Sequence, residues 1–194
     1  MVDGSVPADH FGEFAPVDSR PLTVAVGGRP GSGRRTVARA LRGAGLTAAE
    51  AEAPGLGDPE VNVNVDVYVF VETLNPDDRA ALASAVRPTV AVLNKADLAG
   101  FGGNGPMAAA IQRCRQLERA TAVPTRPLSA LLAVAGTDPG VLDAAMIDAL
   151  RTVATEPAAL PDAARRRLAA ELDLFGTACA ASAVGSGANR QDIA

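Results

Sequence analysis

Apolar and polar positions along the chain change period several times, and each change marks an element. Leu22-Thr23-Val24-Ala25-Val26-Gly27 is an apolar run ending in glycine, the pattern of a buried parallel strand. After a Gly-rich turn, Thr36-Val37-Ala38-Arg39-Ala40-Leu41-Arg42 reads as a helix closed by Gly43 and Gly45. Residues 46–60 are less regular, with Thr47-Ala48-Ala49-Glu50 read as a short helical piece. From Val61 to Val71 valine alternates with other residues. Asn62, Asn64 and Asp66 make the opening half exposed, while Tyr68 and Phe70 make the later part apolar on both faces.

Asn75-Pro76-Asp77-Asp78 is a helix start, with Asn75 as cap, Pro76 at the first helical position and acids in the first turn. That helix is expected to run to about Val86, and Pro88 restarts the chain as the strand Thr89-Val90-Ala91-Val92-Leu93. A Gly-rich loop, residues 100–105, leads to a helix from Pro106 to about Ala120. Val123 to Leu128 is a short strand broken by prolines, which places it near a sheet edge. Asp138-Pro139 is expected to open a helix ending near Val153. Leu160-Pro161-Asp162 begins a final helix carrying Arg165-Arg166-Arg167, with Leu168, Leu172, Leu174 and Phe175 among its apolar positions.

Strands alternating with helices predict an α/β fold: a mostly parallel sheet with helices on both faces, three layers deep. The expected organisation is a mobile leader over residues 1–20, one domain over 21–155, a helical extension over 156–184 and a Gly-, Ser- and Asn-rich disordered tail over 185–194. A chain of 194 residues suits one such domain with an appendage.

Composition narrows the functions. A net charge of −4 and the scarcity of aromatics (five Phe, one Tyr, no Trp) argue against a nucleic-acid binder working through a basic surface or stacking platforms. Cys114 and Cys179 lack metal-ligand spacing and read as reduced thiols, and His10 lies in the leader. No metal site and no catalytic residue is assigned. The start has no signal-peptide pattern and no apolar stretch approaches the roughly 20 residues of a membrane span, so a cytoplasmic protein is expected.

Two motifs carry chemistry. Gly28-Arg29-Pro30-Gly31-Ser32-Gly33-Arg34-Arg35-Thr36 follows the first strand and opens the first helix. It has the glycine spacing of a phosphate loop at Gly28 and Gly33, but Arg34 stands at the lysine position and Arg35 at the hydroxyl position. Backbone N–H groups and the helix N-terminus supply most of an anion cradle whatever those two side chains are. A guanidinium is larger and planar, so it does not copy an ammonium. Without a hydroxyl at position 35, Mg²⁺ loses its usual protein ligand, and Thr36 replaces it only if the loop shifts register. The other reading is a Gly-rich turn with solvated arginines.

The second motif is Asn94-Lys95-Ala96-Asp97, directly after a strand. Lys95 is the sole lysine among eighteen basic side chains, which suggests that arginine would not serve there. Ser129-Ala130 follows about thirty residues later, after the last short strand. The alternative is a surface turn in which Asn94 caps and Asp97 is solvated.

Phosphate loop, Asn-Lys-x-Asp and Ser-Ala, in this order, resemble the translation-factor-related class of P-loop GTPases over roughly residues 20–155. The resemblance implies a P-loop NTPase-like fold, with Gly28, Gly31, Ser32, Gly33, Arg34, Arg35 and Thr36 around phosphate. It further implies that Asp97 reads the guanine ring N–H and amine, that Asn94 ties the box to the phosphate loop, and that the Lys95 stem lies across the base. Ser129-Ala130 would present a backbone N–H to the guanine oxygen. GTP or GDP is the implied ligand, with Mg²⁺ a doubtful cofactor. The departures are equally specific: no Asp-x-x-Gly between the first helix and the strand near Val65, Thr47 as the sole switch-threonine candidate, and a shortened switch region.

Three functions stay open. The first is a degenerate GTPase-like domain that binds guanine nucleotide weakly and acts by interaction, with a complete GTPase or another protein docking on the C-terminal helix. The second is an atypical active GTPase with Arg34 in the lysine's place and help from a partner. The third is an interaction module that binds no nucleotide. That helix simply packing on its own sheet is the alternative to docking.

Overall fold

A computed structural model describes residues 22–51, 63–95, 106–138 and 140–193. The expected leader, the loop at 100–105, Pro139, and Ala96 and Asp97 of the Asn-Lys-x-Asp box lie outside the described residues.

Five strands form one all-parallel sheet in the order β2-β1-β3-β4-β5: β1 (Thr23–Gly28), β2 (Thr47–Glu50), β3 (Val65–Phe70), β4 (Thr89–Asn94) and β5 (Thr125–Leu128). The α/β architecture expected from the sequence is therefore present. Alternate residues of one strand serve two cores, as strand geometry requires. Val24, Val26, Val67, Val69 and Val92 pack with Val37 and Ala38 of α1 (Arg34–Gly43) and with Ala130 of α4 (Ala130–Thr137). Tyr68, Phe70, Ala91 and Leu93 face the other way, onto Leu82 of α2 (Pro76–Ala83) and Ala110, Cys114 and Leu117 of α3 (Pro106–Thr121). Helices thus cover both faces.

Local signals set several element ends. The α1 helix closes in a full Schellman turn: Gly45 takes φ 86°, its N–H donates to Arg42 O, and Leu46 N–H donates to Leu41 O. In α2 a capping box forms, with the Asn75 side chain accepting from Asp78 N–H and the Asp78 carboxylate accepting from Asn75 N–H, each at 2.8 Å.

Other elements depart from the sequence reading. Thr47–Glu50, expected as a helical piece, is the edge strand β2, parallel to β1 with Ala48 opposite Val24. Asp66 was expected half exposed but is buried, its carboxylate gripped by the Arg87 guanidinium through two 3.0 Å hydrogen bonds. Asp138 does not open a helix: it ends α4, and the next helix, α5 (Ala144–Thr155), begins after Asp143, whose side chain accepts from Met146 N–H. The second helix stops at Ala83 rather than near Val86.

The last long helix, α6 (Asp162–Gly185), is broken at Asp173, where φ 56° and ψ −174° leave the helical region. The Asp173 carboxylate restarts the helix by accepting from Gly176 N–H at 2.8 Å. Leu174, read among the apolar positions of this helix, directly follows the break and is 67% exposed. Residues 185–194 were expected without order, yet α7 (Arg190–Ile193) follows and Ile193 is buried.

By length and composition α6 could cross a membrane. Its break, and the burial of Leu168, Leu172 and Phe175 inside the protein, mark it as a packing helix. Leu168 and Leu172 join α4 and α5 in a helical core, while Phe175 reaches the sheet core, where full burial of such a side chain is worth about 1.5–3 kcal/mol. The outer edge of β5 is closed from within. Glu118 accepts Thr125 N–H (3.4 Å), Arg126 donates to Thr125 O (2.8 Å), and Pro127 has no N–H to offer a further strand.

Candidate functional site at the carboxyl edge of the sheet

Strand order reverses at β1, with β2 on one side and β3 on the other. The carboxyl ends of β1 and β3 therefore open a crevice, the usual ligand position in an open parallel sheet. The phosphate-loop segment, residues 29–33, spans this point between β1 and α1.

Its glycines are required by close approaches. Gly28 has φ 128°, and a Cβ there would come within 2.1 Å of Val69 O on β3. Gly33, at φ 90°, is the N-cap of α1, and a Cβ there would lie 2.4 Å from Asn94 Nδ2. Gly31 has φ 80° with open space around it, so its glycine answers backbone conformation alone.

With Gly33 as N-cap, Arg34 and Arg35 are the first two helical residues and Thr36 the third. No register shift brings Thr36 into Arg35's place. No side chain caps α1, no acid stands in its first turn, and its leading N–H groups have no partner within the helix. Two cations at a helix N-terminus oppose the helix dipole, at a cost of about 0.3–1 kcal/mol each that a bound anion would remove. Among the described residues, the Ser32 hydroxyl, in a residue only 3% exposed, and the buried Nη1 of Arg34 have no hydrogen-bond partner. Arg35 is exposed and lies 3.4 Å from Glu50 at the end of β2.

Asn94 joins the second motif to the first. Nearly buried at the end of β4, it donates from Nδ2 to Ser32 O (2.9 Å) and accepts Ala130 N–H at Oδ1 (3.3 Å). The side chain thus bridges the loop and the Ser129–Ala130 turn. Ala130 N–H, expected to face a guanine oxygen, is engaged with Asn94 by this long bond. Ser129 caps α4, accepting from Leu132 N–H. Lys95 takes φ 53°, a left-handed conformation uncommon outside glycine and often found at functional sites. Gly176 of α6 backs the same turn, where a Cβ would meet Ser129 Oγ at 2.6 Å.

A further group sits across the crevice. Asp78 is fully buried, accepts from Tyr68 OH at 2.8 Å, and holds Arg29 of the loop in an ion pair at 3.0 Å that lacks hydrogen-bond alignment. Burial, and then the bond to Asp78, raise the Tyr68 phenol well above its ordinary value, so it stays a donor. Sequence reasoning read Asp78 only as a helix-start acid. Its helical start was the visible signal, and its link to Arg29 exists only once α2 packs beside the loop.

No family model and no curated protein matches the chain. Among solved structures, the apo form of translation elongation factor SelB from Methanococcus maripaludis aligns with 59% of this chain at 16% identity and a TM-score of 0.38. The chain spans 30% of that protein's length.

Proposed function

We propose that the carboxyl edge of the sheet binds a guanine nucleotide weakly, turns it over poorly or not at all, and serves an interaction role. The observation that carries this reading is the Asn94 bridge. One buried amide holds an uncapped, doubly cationic helix N-terminus and the Ser129–Ala130 turn in fixed relation, which suits a ligand with a phosphate chain at one end and a flat polar group at the other. Lys95, strained at φ 53°, and Asp97 follow Asn94 directly in the chain and supply the base-reading chemistry.

Weak turnover follows from the loop's side chains. Arg35 occupies the position of the hydroxyl that ordinarily holds Mg²⁺, and phosphoryl transfer depends on such positioning and charge neutralisation. The interaction role is supported by α6: Arg167 is paired with Asp143 and Arg165 with the carbonyls of Pro157 and Leu160, whereas Arg166 is exposed and, among the described residues, in no ion pair, which suits it to a partner protein.

Calorimetric titration with GDP, GTP and ATP tests the reading. Guanine-selective binding without turnover supports it, and an Asp97→Asn variant should lose that selectivity. Absence of binding at millimolar nucleotide would sink it.

A further inference from the structure

A cavity of about 270 Å³ opens beside the phosphate loop on its β2 side, lined by Gly31, Gly33, Arg34, Arg35 and Glu50. Its single acid is Glu50, and the Arg35 guanidinium stands 3.4 Å from that carboxylate. A Mg²⁺ ion takes near-octahedral oxygen ligands at about 2.0–2.1 Å, usually waters and substrate phosphates with one or two protein oxygens, and its charge must not be opposed by cations beside it. This cavity offers one carboxylate and no hydroxyl, with two guanidiniums on its walls whose charge opposes a divalent cation. Among the described residues no group of three His, Cys, Asp or Glu side chains could hold a metal. The residues present do not fit Mg²⁺.

They do fit a bare phosphate chain. Guanidinium groups recognise phosphate oxygens through paired hydrogen bonds, and α1 adds its open N–H groups and dipole. The unpartnered, nearly buried Ser32 hydroxyl is a further polar group in the same loop. The Arg35 side of its pair with Glu50 is 88% exposed and the Glu50 side 34%, so the pair is screened by solvent, weakly held and exchangeable.

We propose that the loop takes the metal-free form of a nucleoside polyphosphate, with Arg35 moving from Glu50 to the anion and standing in for the divalent cation. This rests on the loop binding a phosphate chain at all. Magnesium then acts against binding, because it removes free nucleotide from solution and presents a form of lower negative charge, whose phosphate oxygens are already taken by the metal and which the arginines attract less.

The experiment is calorimetric titration of the full chain with GDP and with pyrophosphate, in EDTA and in millimolar MgCl₂. Mass action on free ligand predicts that Mg²⁺ weakens both by roughly fivefold or more. In Arg35→Ser, which supplies a hydroxyl and releases Glu50, the Mg²⁺ penalty should vanish or reverse. In Glu50→Gln, which frees Arg35, affinity in EDTA should rise. Equal or tighter binding in Mg²⁺ by the unaltered chain overturns the metal-free assignment while leaving the nucleotide reading intact. Absence of binding by GDP and pyrophosphate in both buffers overturns the nucleotide reading itself.

Discussion

The Asn94 amide donates to the carbonyl of Ser32 at 2.9 Å, across 62 residues of chain, and both residues are buried. The bond makes the end of β4 part of the phosphate loop's wall, and its loss should be felt at both ends of the site. Asn94→Ala leaves Ser32 O and Ala130 N–H without this partner, so a destabilisation of about 1–3 kcal/mol is expected. Urea denaturation checks it. Asn94→Asp, which sets a carboxylate oxygen against the Ser32 carbonyl, should be no milder; a variant as stable as the unaltered chain would deny the bridge its structural role.

Two loop glycines should differ in severity. At Gly33 the added methyl meets the Asn94 amide, which can give way only by breaking its bonds to Ser32 O and Ala130 N–H, whereas at Gly28 it meets the backbone oxygen of Val69, where the sheet itself must part. Left-handed backbone alone costs a non-glycine residue about 1–2 kcal/mol. Gly28→Ala should therefore lose more stability than Gly33→Ala in thermal or urea unfolding. The reverse order would contradict the packing described between β1 and β3.

Asp78 gathers Tyr68 OH, Asn75 N–H and Arg29 around one buried carboxylate. Asp78→Ala leaves the Tyr68 hydroxyl and Asn75 N–H without their acceptor, while Arg29, 39% exposed, is partly solvated, so a cost of about 3 kcal/mol or somewhat more is expected. Tyr68→Phe deletes one neutral donor and should cost only about 1.5–3 kcal/mol, as for a hydrogen bond to a charged group. Equilibrium unfolding of Asp78→Ala, Tyr68→Phe and the double variant measures both terms and their coupling. Equal costs for the two single variants would show that the Tyr68 bond accounts for the whole contribution of Asp78 and that Arg29 and Asn75 N–H add nothing.

Stability should decline on the alkaline side. Burial pushes the thiols of Cys114 and Cys179 from 9.0 up to about 11, with the Asp173 charge adding to Cys179. Their folded values lie above their unfolded ones, so the protonated form is favoured in the folded protein. The contribution is complete below pH 9.0 and is lost as pH rises toward about 11. Tyr68 adds the same sign of effect above its ordinary value of 10.0. Denaturation midpoints from neutral to alkaline pH should fall across this window, and the fall should shrink in Cys114→Ala after normalising to neutral pH. A flat profile would show that the thiols are not held protonated.

Short-range chemistry on the chain already specified much of this protein. The valine alternation of β3, the Asn75-Pro76-Asp77-Asp78 start of α2, and the glycine at 45 that closes α1 act within a few residues. Their consequences, a strand, a cap and a left-handed helix end, therefore survive without knowledge of the rest. The parallel α/β architecture followed from the order of those elements. What needed the tertiary structure was each feature whose partner is distant. Thr47-Ala48-Ala49-Glu50 has helix-favouring composition and becomes a strand only because β1 offers an edge to pair with. Asp66 is buried only because Arg87 arrives to neutralise it, and Asp78 meets Arg29 only when α2 packs beside the loop. Arg35 was readable as a missing hydroxyl. Its place opposite Glu50, which turns a loss into a built-in cation, came only when β2 lay down along β1.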